Sequence, residues 1–136
     1  MIGLSVYLAF DGDCAQAMEF YKSIFGGNLE LMTFENSPMP VDEEYKKRIL
    51  HAVLKSDLVF FMASDILPGQ PFIKGTNYSM SLNFTEPDEQ AAVWEKLSEN
   101  AVIPMPLQDT FWNARFGMLI DKFGINWMLN YDRPQQ

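Results

Sequence analysis

The strongest constraint in this 136-residue chain is a repeated order of local signals. Residues 4–10 alternate and are rich in β-formers, which predicts a strand. Asp11-Gly12-Asp13 breaks it, with Asp13 and Gln16 at the positions of a reciprocal helix cap. Cys14, Ala17, Met18, Tyr21, Ile24 and Phe25 then recur at helical spacing, and Gly26-Gly27 ends the helix. A strand over 28–35 follows, then a loop over 36–47 holding Pro38 and Pro40. Strands over 49–55 and 58–63 are joined at Lys55-Ser56-Asp57.

The second half repeats the order. A strand over 77–84 leads to Thr85 as a cap, with Pro87 in the first helical turn and Asp88 three residues on. Ala91, Trp94, Leu97 and Ser98 make the expected inward face, with Val93 on its edge, and Asn100 closes the helix. Residues 101–108, with Pro104 and Pro106, predict an edge strand, because proline cannot donate to a central ladder. Strands over 115–120 and 125–131 flank Asp121-Lys122-Phe123-Gly124, whose first and fourth residues are those of a type I turn. Residues 133–136 form a tail.

The order is therefore β-α-β-β-β twice, and a unit of about sixty residues is too long for a solenoid repeat. It implies an α+β fold of two similar modules, in which a mixed sheet with one crossover helix per module curves around a cavity. The length fits one domain, which buries roughly two-thirds of its unfolded surface.

Several function classes are disfavoured. The formal charge is −8, the ten basic residues are scattered, and the run Lys46-Lys47-Arg48 directly follows Asp42-Glu43-Glu44. A phosphate-binding surface needs clustered cations, so no nucleic-acid partner is expected. The single cysteine, Cys14, excludes an intramolecular disulfide. No window has the apolar length of a membrane span, and residues 1–13 lack a basic n-region and a cleavage site, so a cytoplasmic setting with no membrane partner is expected.

Four stretches carry a family resemblance: Tyr7–Phe10 leading to Cys14 and Phe20-Tyr21; Ile49-Leu50-His51-Ala52; Met62-Ala63-Ser64-Asp65; and Thr110-Phe111-Trp112 through Asp121-Lys122-Phe123-Gly124 to Trp127-Met128-Leu129-Asn130. Together they make the chain resemble the vicinal oxygen chelate (glyoxalase/bleomycin resistance/extradiol dioxygenase) superfamily. Within it they resemble the PhnB-like, or 3-demethylubiquinone methyltransferase-like, branch. The resemblance implies paired βαβββ modules in one domain over 1–136, with modules at about 1–66 and 77–136 and a linker at about 67–76. It also implies a homodimer and a cavity in each subunit.

The superfamily commonly holds a divalent cation with His and Glu ligands. Here His51 is the single histidine, and the position of the last Glu falls on Met128. The first strand offers Ser5, Val6 and Tyr7 where a ligand would stand, and the fifth offers Asn77, Ser79 and Ser81. A thioether is a poor ligand for a hard or borderline cation and the site lacks most of the superfamily's ligands, so no metal and no cofactor is expected. No glycine-rich nucleotide loop follows a strand, and nothing points to S-adenosylmethionine.

His51 is the candidate catalytic base, with a structural imidazole as the alternative. Cys14 starts a helix, where a dipole lowers a thiol pKa, yet it lies on the apolar stripe. Trp112, Asn113 and Arg115 can hold a planar or anionic ligand, or pack as a lid. Met62, Ser81 and Met128 complete the set of candidate ligand contacts. The expected function is metal-free binding of an unknown small molecule by a homodimer. The rivals are a lyase, isomerase or transferase-type enzyme using His51 or a metal completed across the dimer, and a dimer with no ligand.

Overall fold

The computed structural model describes residues 3–135 and divides them between two compact units, 1–73 and 74–136. Met1, Ile2 and Gln136, the last residue of the expected tail, lie outside the described residues.

The first unit runs β1 (Val6–Phe10), α1 (Cys14–Phe25), β2 (Asn28–Thr33), a single 3-10 turn (Glu43–Tyr45), β3 (Ile49–Lys55) and β4 (Phe60–Asp65). Its sheet has the order β1-β4-β3-β2, with β1 parallel to β4 and the other pairs antiparallel. The parallel pair requires a crossover, which α1 supplies. The second unit repeats this with β5 (Met80–Phe84), α2 (Pro87–Leu97), β6 (Val102–Asp109), β7 (Ala114–Ile120) and β8 (Asn126–Asp132) in the order β5-β8-β7-β6. Two helices and eight strands thus make two four-stranded mixed sheets, the α+β duplication expected from the sequence.

Each helix covers one face of its own sheet. The α1 residues Cys14, Ala17, Met18, Tyr21, Ile24 and Phe25 are all buried, as their spacing requires. Tyr21 and Phe25 meet the Phe61 ring edge-on at 5.8 and 6.0 Å. Gly27 follows the helix at φ +90°, and a Cβ there would stand 2.2 Å from the Lys55 carbonyl oxygen, so only glycine closes this turn.

The α2 face differs from the expected one. Gln90, Val93 and Leu97 are buried, while Ala91, Trp94 and Ser98 are half-exposed. Gln90 escapes an apolar pattern because its Nε2 donates to the Arg115 and Leu129 carbonyls at 2.8 and 3.2 Å, tying β7 to β8 beneath the helix. The Trp94 ring still packs on the sheet, over Gly117, where an added Cβ would lie 2.7 Å from it.

Neither expected side-chain cap forms. The reason at α1 is a carboxylate from elsewhere in the unit. Asp65 ends β4 and is 2% exposed. Its Oδ1 accepts from Gly12 N (2.7 Å) and Cys14 N (3.1 Å), and its Oδ2 from Ile49 N (2.8 Å). Asp65, rather than Asp13, supplies the side-chain acceptor at the start of α1. At α2 the cap position is Glu86, one residue beyond Thr85. Strand β4 also starts two residues late and ends two residues late, because Ser56 Oγ accepts from Leu58 N and Val59 N and holds the chain in a turn. β6 lies on the sheet edge with its register shifted on both sides of Met105, as Pro104 and Pro106 require.

The Asp121 turn closes as expected, Gly124 N donating to Asp121 O at 2.9 Å. The Asp121 side chain does more than start a turn. Its Oδ1 accepts from Phe123 N and Ile125 N, and its Oδ2 from Trp127 Nε1 at 2.8 Å.

Asp65→Ala leaves three amide donors without their acceptor, at roughly 1–3 kcal/mol for each that stays dry. We expect a loss of about 3 kcal/mol in urea unfolding, against less than about 0.5 kcal/mol for the exposed Asp57→Ala.

Cys14 is fully buried, and burial, reinforced by Asp65 and Asp13, pushes its thiol far above the ordinary value of 9.0. The folded thiol keeps its proton where the unfolded one loses it. Stability therefore falls as pH rises past about 9, by up to about 1.4 kcal/mol per pH unit. Cys14→Ala should remove that part of the slope in unfolding measured from pH 8 to 10. In the native protein the thiol should stay silent to a disulfide reagent that labels it in urea.

Candidate functional site

The face of each sheet turned away from its helix carries most of the chemistry. In the first unit the parallel pair aligns Tyr7 with Met62, and β3 aligns Val53 with Met62. His51 pairs with Met32 on β2 and shares this face, because strand alternation sets Ala52 and Leu54 toward α1. Tyr7 reaches across β4, so that its Oη lies 3.2 Å from His51 Nδ1, with the two rings 5.8 Å apart. Tyr7 is 51% exposed and His51 half-buried. The phenol fixes one imidazole nitrogen and leaves Nε2 as the atom available to a ligand. Tyr7 was not among the contacts expected from the sequence. Its signal was present in the alternation of β1, which sets it opposite Leu8 and Phe10.

In the second unit two neighbouring rows cross the sheet. One is Ser81, Met128, Met118 and Met105, on β5, β8, β7 and β6 in turn. The other is Asn83, Asn130, Phe116 and Gln108. Trp112 lies against Phe116 at 5.9 Å between ring centroids, and Phe111 stands edge-on to Trp112 at 5.0 Å. Trp112 is 50% exposed. A cleft of about 200 Å³ lies at the end of the sheet, meeting the rows only at Met118 and lined also by Tyr78, Ser79, Leu119, Asn126 and Trp127.

The expected contacts therefore divide. Ser81, Met128 and Trp112 belong to one face of the second unit, and His51 and Met62 to one face of the first. Arg115 alternates with Phe116 and stands on the α2 side with Gly117, away from the Met128 row. Its grouping with Trp112 held in sequence but not across the sheet. Asn113 adopts φ +62°, a left-handed position that asparagine tolerates, and its carbonyl accepts from Arg133 N at 3.0 Å. It serves the turn between β6 and β7, where Thr110 Oγ1 accepts from Ala114 N.

The pairing registers also show the duplication residue by residue. Tyr7–Met62 in β1/β4 corresponds to Ser81–Met128 in β5/β8, and Val53–Met62 corresponds to Met118–Met128. The two positions on the central parallel strands are both methionines. His51 then corresponds to Phe116. For a divalent cation these groups offer one imidazole (His51), three thioethers (Met62, Met118 and Met128) and two hydroxyls (Tyr7 and Ser81), with no carboxylate in either set. Among the described residues no three His, Cys, Asp or Glu side chains gather. The donor set does not fit the cation that the fold commonly carries.

Nor does the turn after β1 offer an anion site. The Gly12 and Cys14 amides, which point outward at a glycine-rich cofactor loop, are already bonded to Asp65. No helix among the described residues is long and apolar enough to cross a membrane.

Comparison with known proteins agrees with this architecture. Protein PA1353 of Pseudomonas aeruginosa is 37% identical over 98% of this chain and 100% of its own, with a TM-score of 0.89. A Bacillus cereus PhnB protein, described as a putative 3-demethylubiquinone-9 3-methyltransferase, is 27% identical over 94% and 98%, with a TM-score of 0.72. A glyoxalase/bleomycin resistance protein/dioxygenase family enzyme from Burkholderia phytofirmans shares the fold at 12% identity over 93% and 97%, with a TM-score of 0.62. The model of the 3-demethylubiquinone-9 3-methyltransferase family matches residues 3–130, a span that covers both units. The chain belongs to that family, and its fold is the one seen in glyoxalase/bleomycin resistance proteins.

Proposed function

We propose that this protein is a metal-free small-molecule binder that works as a homodimer in the cytoplasm, each subunit a single domain. The observation that carries the reading is the substitution of ligand chemistry at the duplicated positions. Tyr7 and Ser81 stand on the first strand of each module, with Met62 and Met128 beside them on the parallel partner. What remains on those faces is adaptable apolar surface with a few neutral polar groups, the composition of a binding site. The family match, whose span covers both units, supports one domain.

A second reading has one specific observation in its favour. The Tyr7–His51 contact leaves Nε2 free and orients the ring, the arrangement of a positioned acid–base group. On that reading the protein is a lyase, isomerase or transferase-type enzyme.

Native mass spectrometry of gently purified protein tests the proposal. We expect a dimer mass that carries a small organic adduct. Metal analysis after dialysis should return well under one equivalent, and a full equivalent of zinc, nickel, manganese or iron would sink the metal-free reading. His51→Gln separates the two readings. It should change adduct occupancy by less than about threefold in a binder, whereas an enzyme that uses this imidazole loses roughly 10²–10⁴-fold in turnover.

A further inference from the structure

We propose that the ligand of the second unit's sheet is an uncharged, flat aromatic molecule with a neutral hydrogen-bonding group at one edge. This rests on reading the protein as a small-molecule binder. It goes further by naming the class of ligand and the way it lies.

The two rows on the face away from α2 are polar at the β5 and β8 end and apolar in the middle, with Gln108 polar again at the β6 edge. Ser81, Asn83 and Asn130 occupy the β5 and β8 end. Met118 and Phe116 lie on β7, Met105 pairs with Met118 on β6, and Trp112 packs on Phe116. Met128, between the polar end and Met118, completes a line of three thioethers on adjacent strands. Side chains directly opposite each other on neighbouring strands have Cβ atoms about 4.5–5.5 Å apart, so the three sulfurs can cover one continuous flat area. Thioether sulfur prefers aromatic rings, and Phe116 and Trp112 add edge and face contacts at the border of that area. A flat ring is the shape this surface fits.

Charge decides the rest. No lysine or arginine stands in either row, and Arg115 is on the opposite face. Beside the polar end stands Asp132, whose Oδ1 accepts from Asn130 Nδ2 at 3.0 Å. The neighbouring Arg133 guanidinium is already paired with Asp109. An anion placed at that end loses water, meets a carboxylate and finds no lysine or arginine in either row. The Asn130 contact commits one amide hydrogen and leaves Oδ1 free, and Asn83 and Ser81 offer both donors and acceptors. These partners suit an amide, carbonyl or hydroxyl on the ligand.

Size follows from the line of thioethers: three on adjacent strands about 4.8 Å apart span roughly 10 Å, the length of one or two fused rings.

Calorimetric titration with four probes tests this. They are 2-naphthamide, 2-naphthoate, 2-methylnaphthalene and the fully saturated decahydronaphthalene-2-carboxamide. We expect 2-naphthamide to bind, with 2-naphthoate and the saturated amide each at least tenfold weaker. Asn83→Leu should abolish the preference for 2-naphthamide over 2-methylnaphthalene. Met118→Leu, which keeps the volume and removes the sulfur, should weaken 2-naphthamide about threefold. Equal or tighter binding of 2-naphthoate overturns the inference, as does affinity for 2-naphthamide that neither variant changes. If no probe binds but the purified protein still carries a small organic adduct, the ligand class falls and the binding function stands. If no probe binds and no adduct is present, both fall.

Discussion

The first unit depends on one buried carboxylate. Asp65 collects the Gly12, Cys14 and Ile49 amides, and so joins the start of α1 and the start of β3 to the end of β4. A bare carboxylate in this position would be costly, and three donors are what make it tolerable. Asp121 plays a similar part in the second unit, where two amides and the Trp127 indole meet its oxygens. In both units an acidic side chain replaces water for backbone groups that the ladder leaves unpaired. The same bonds have a functional consequence. The Gly12 and Cys14 amides are spent on internal structure, and so is the Asp121 carboxylate, so these groups are not available to hold a ligand.

That allocation explains which parts of the sequence were legible. The helices, the order of strands and the Asp121–Gly124 turn follow from local spacing, and local spacing is what a sequence displays. The cap of α1 does not, because Asp65 lies far along the chain and reads as the polar end of a strand. Gln90 was missed for a related reason. A buried amide that serves two carbonyls breaks the apolar stripe from which a helix face is read. The capping pattern at Asp13 and Gln16 was present, but no side-chain cap forms there, and the carboxylate that meets the start of α1 is Asp65, on the Gly12 and Cys14 amides.

The candidate site was legible as a set of residue types and not as an arrangement. Trp112, Asn113 and Arg115 are nearly contiguous, yet a turn and one strand step give them three different tasks. Trp112 covers Phe116, Asn113 bends the chain, and Arg115 crosses to the helix side. A residue's face depends on register, and register is set by pairing with β8 and β6. Tyr7 shows the opposite case. Its contact with His51 spans a whole intervening strand, so no spacing rule joins them, although alternation alone put both on one face.

The family's methyltransferase name and the chemistry of this chain pull apart at the same place. A cofactor loop needs free amides after the first strand, and here they are satisfied from within. A metal enzyme of this fold needs charged or imidazole donors on the central strands, and the register puts methionine at both duplicated positions. Thioethers are weak ligands for hard cations but good partners for polarisable rings. On the proposed reading, the thioethers that make a poor cation site make a good seat for a flat neutral ring, and the amides at Asn83 and Asn130 orient it.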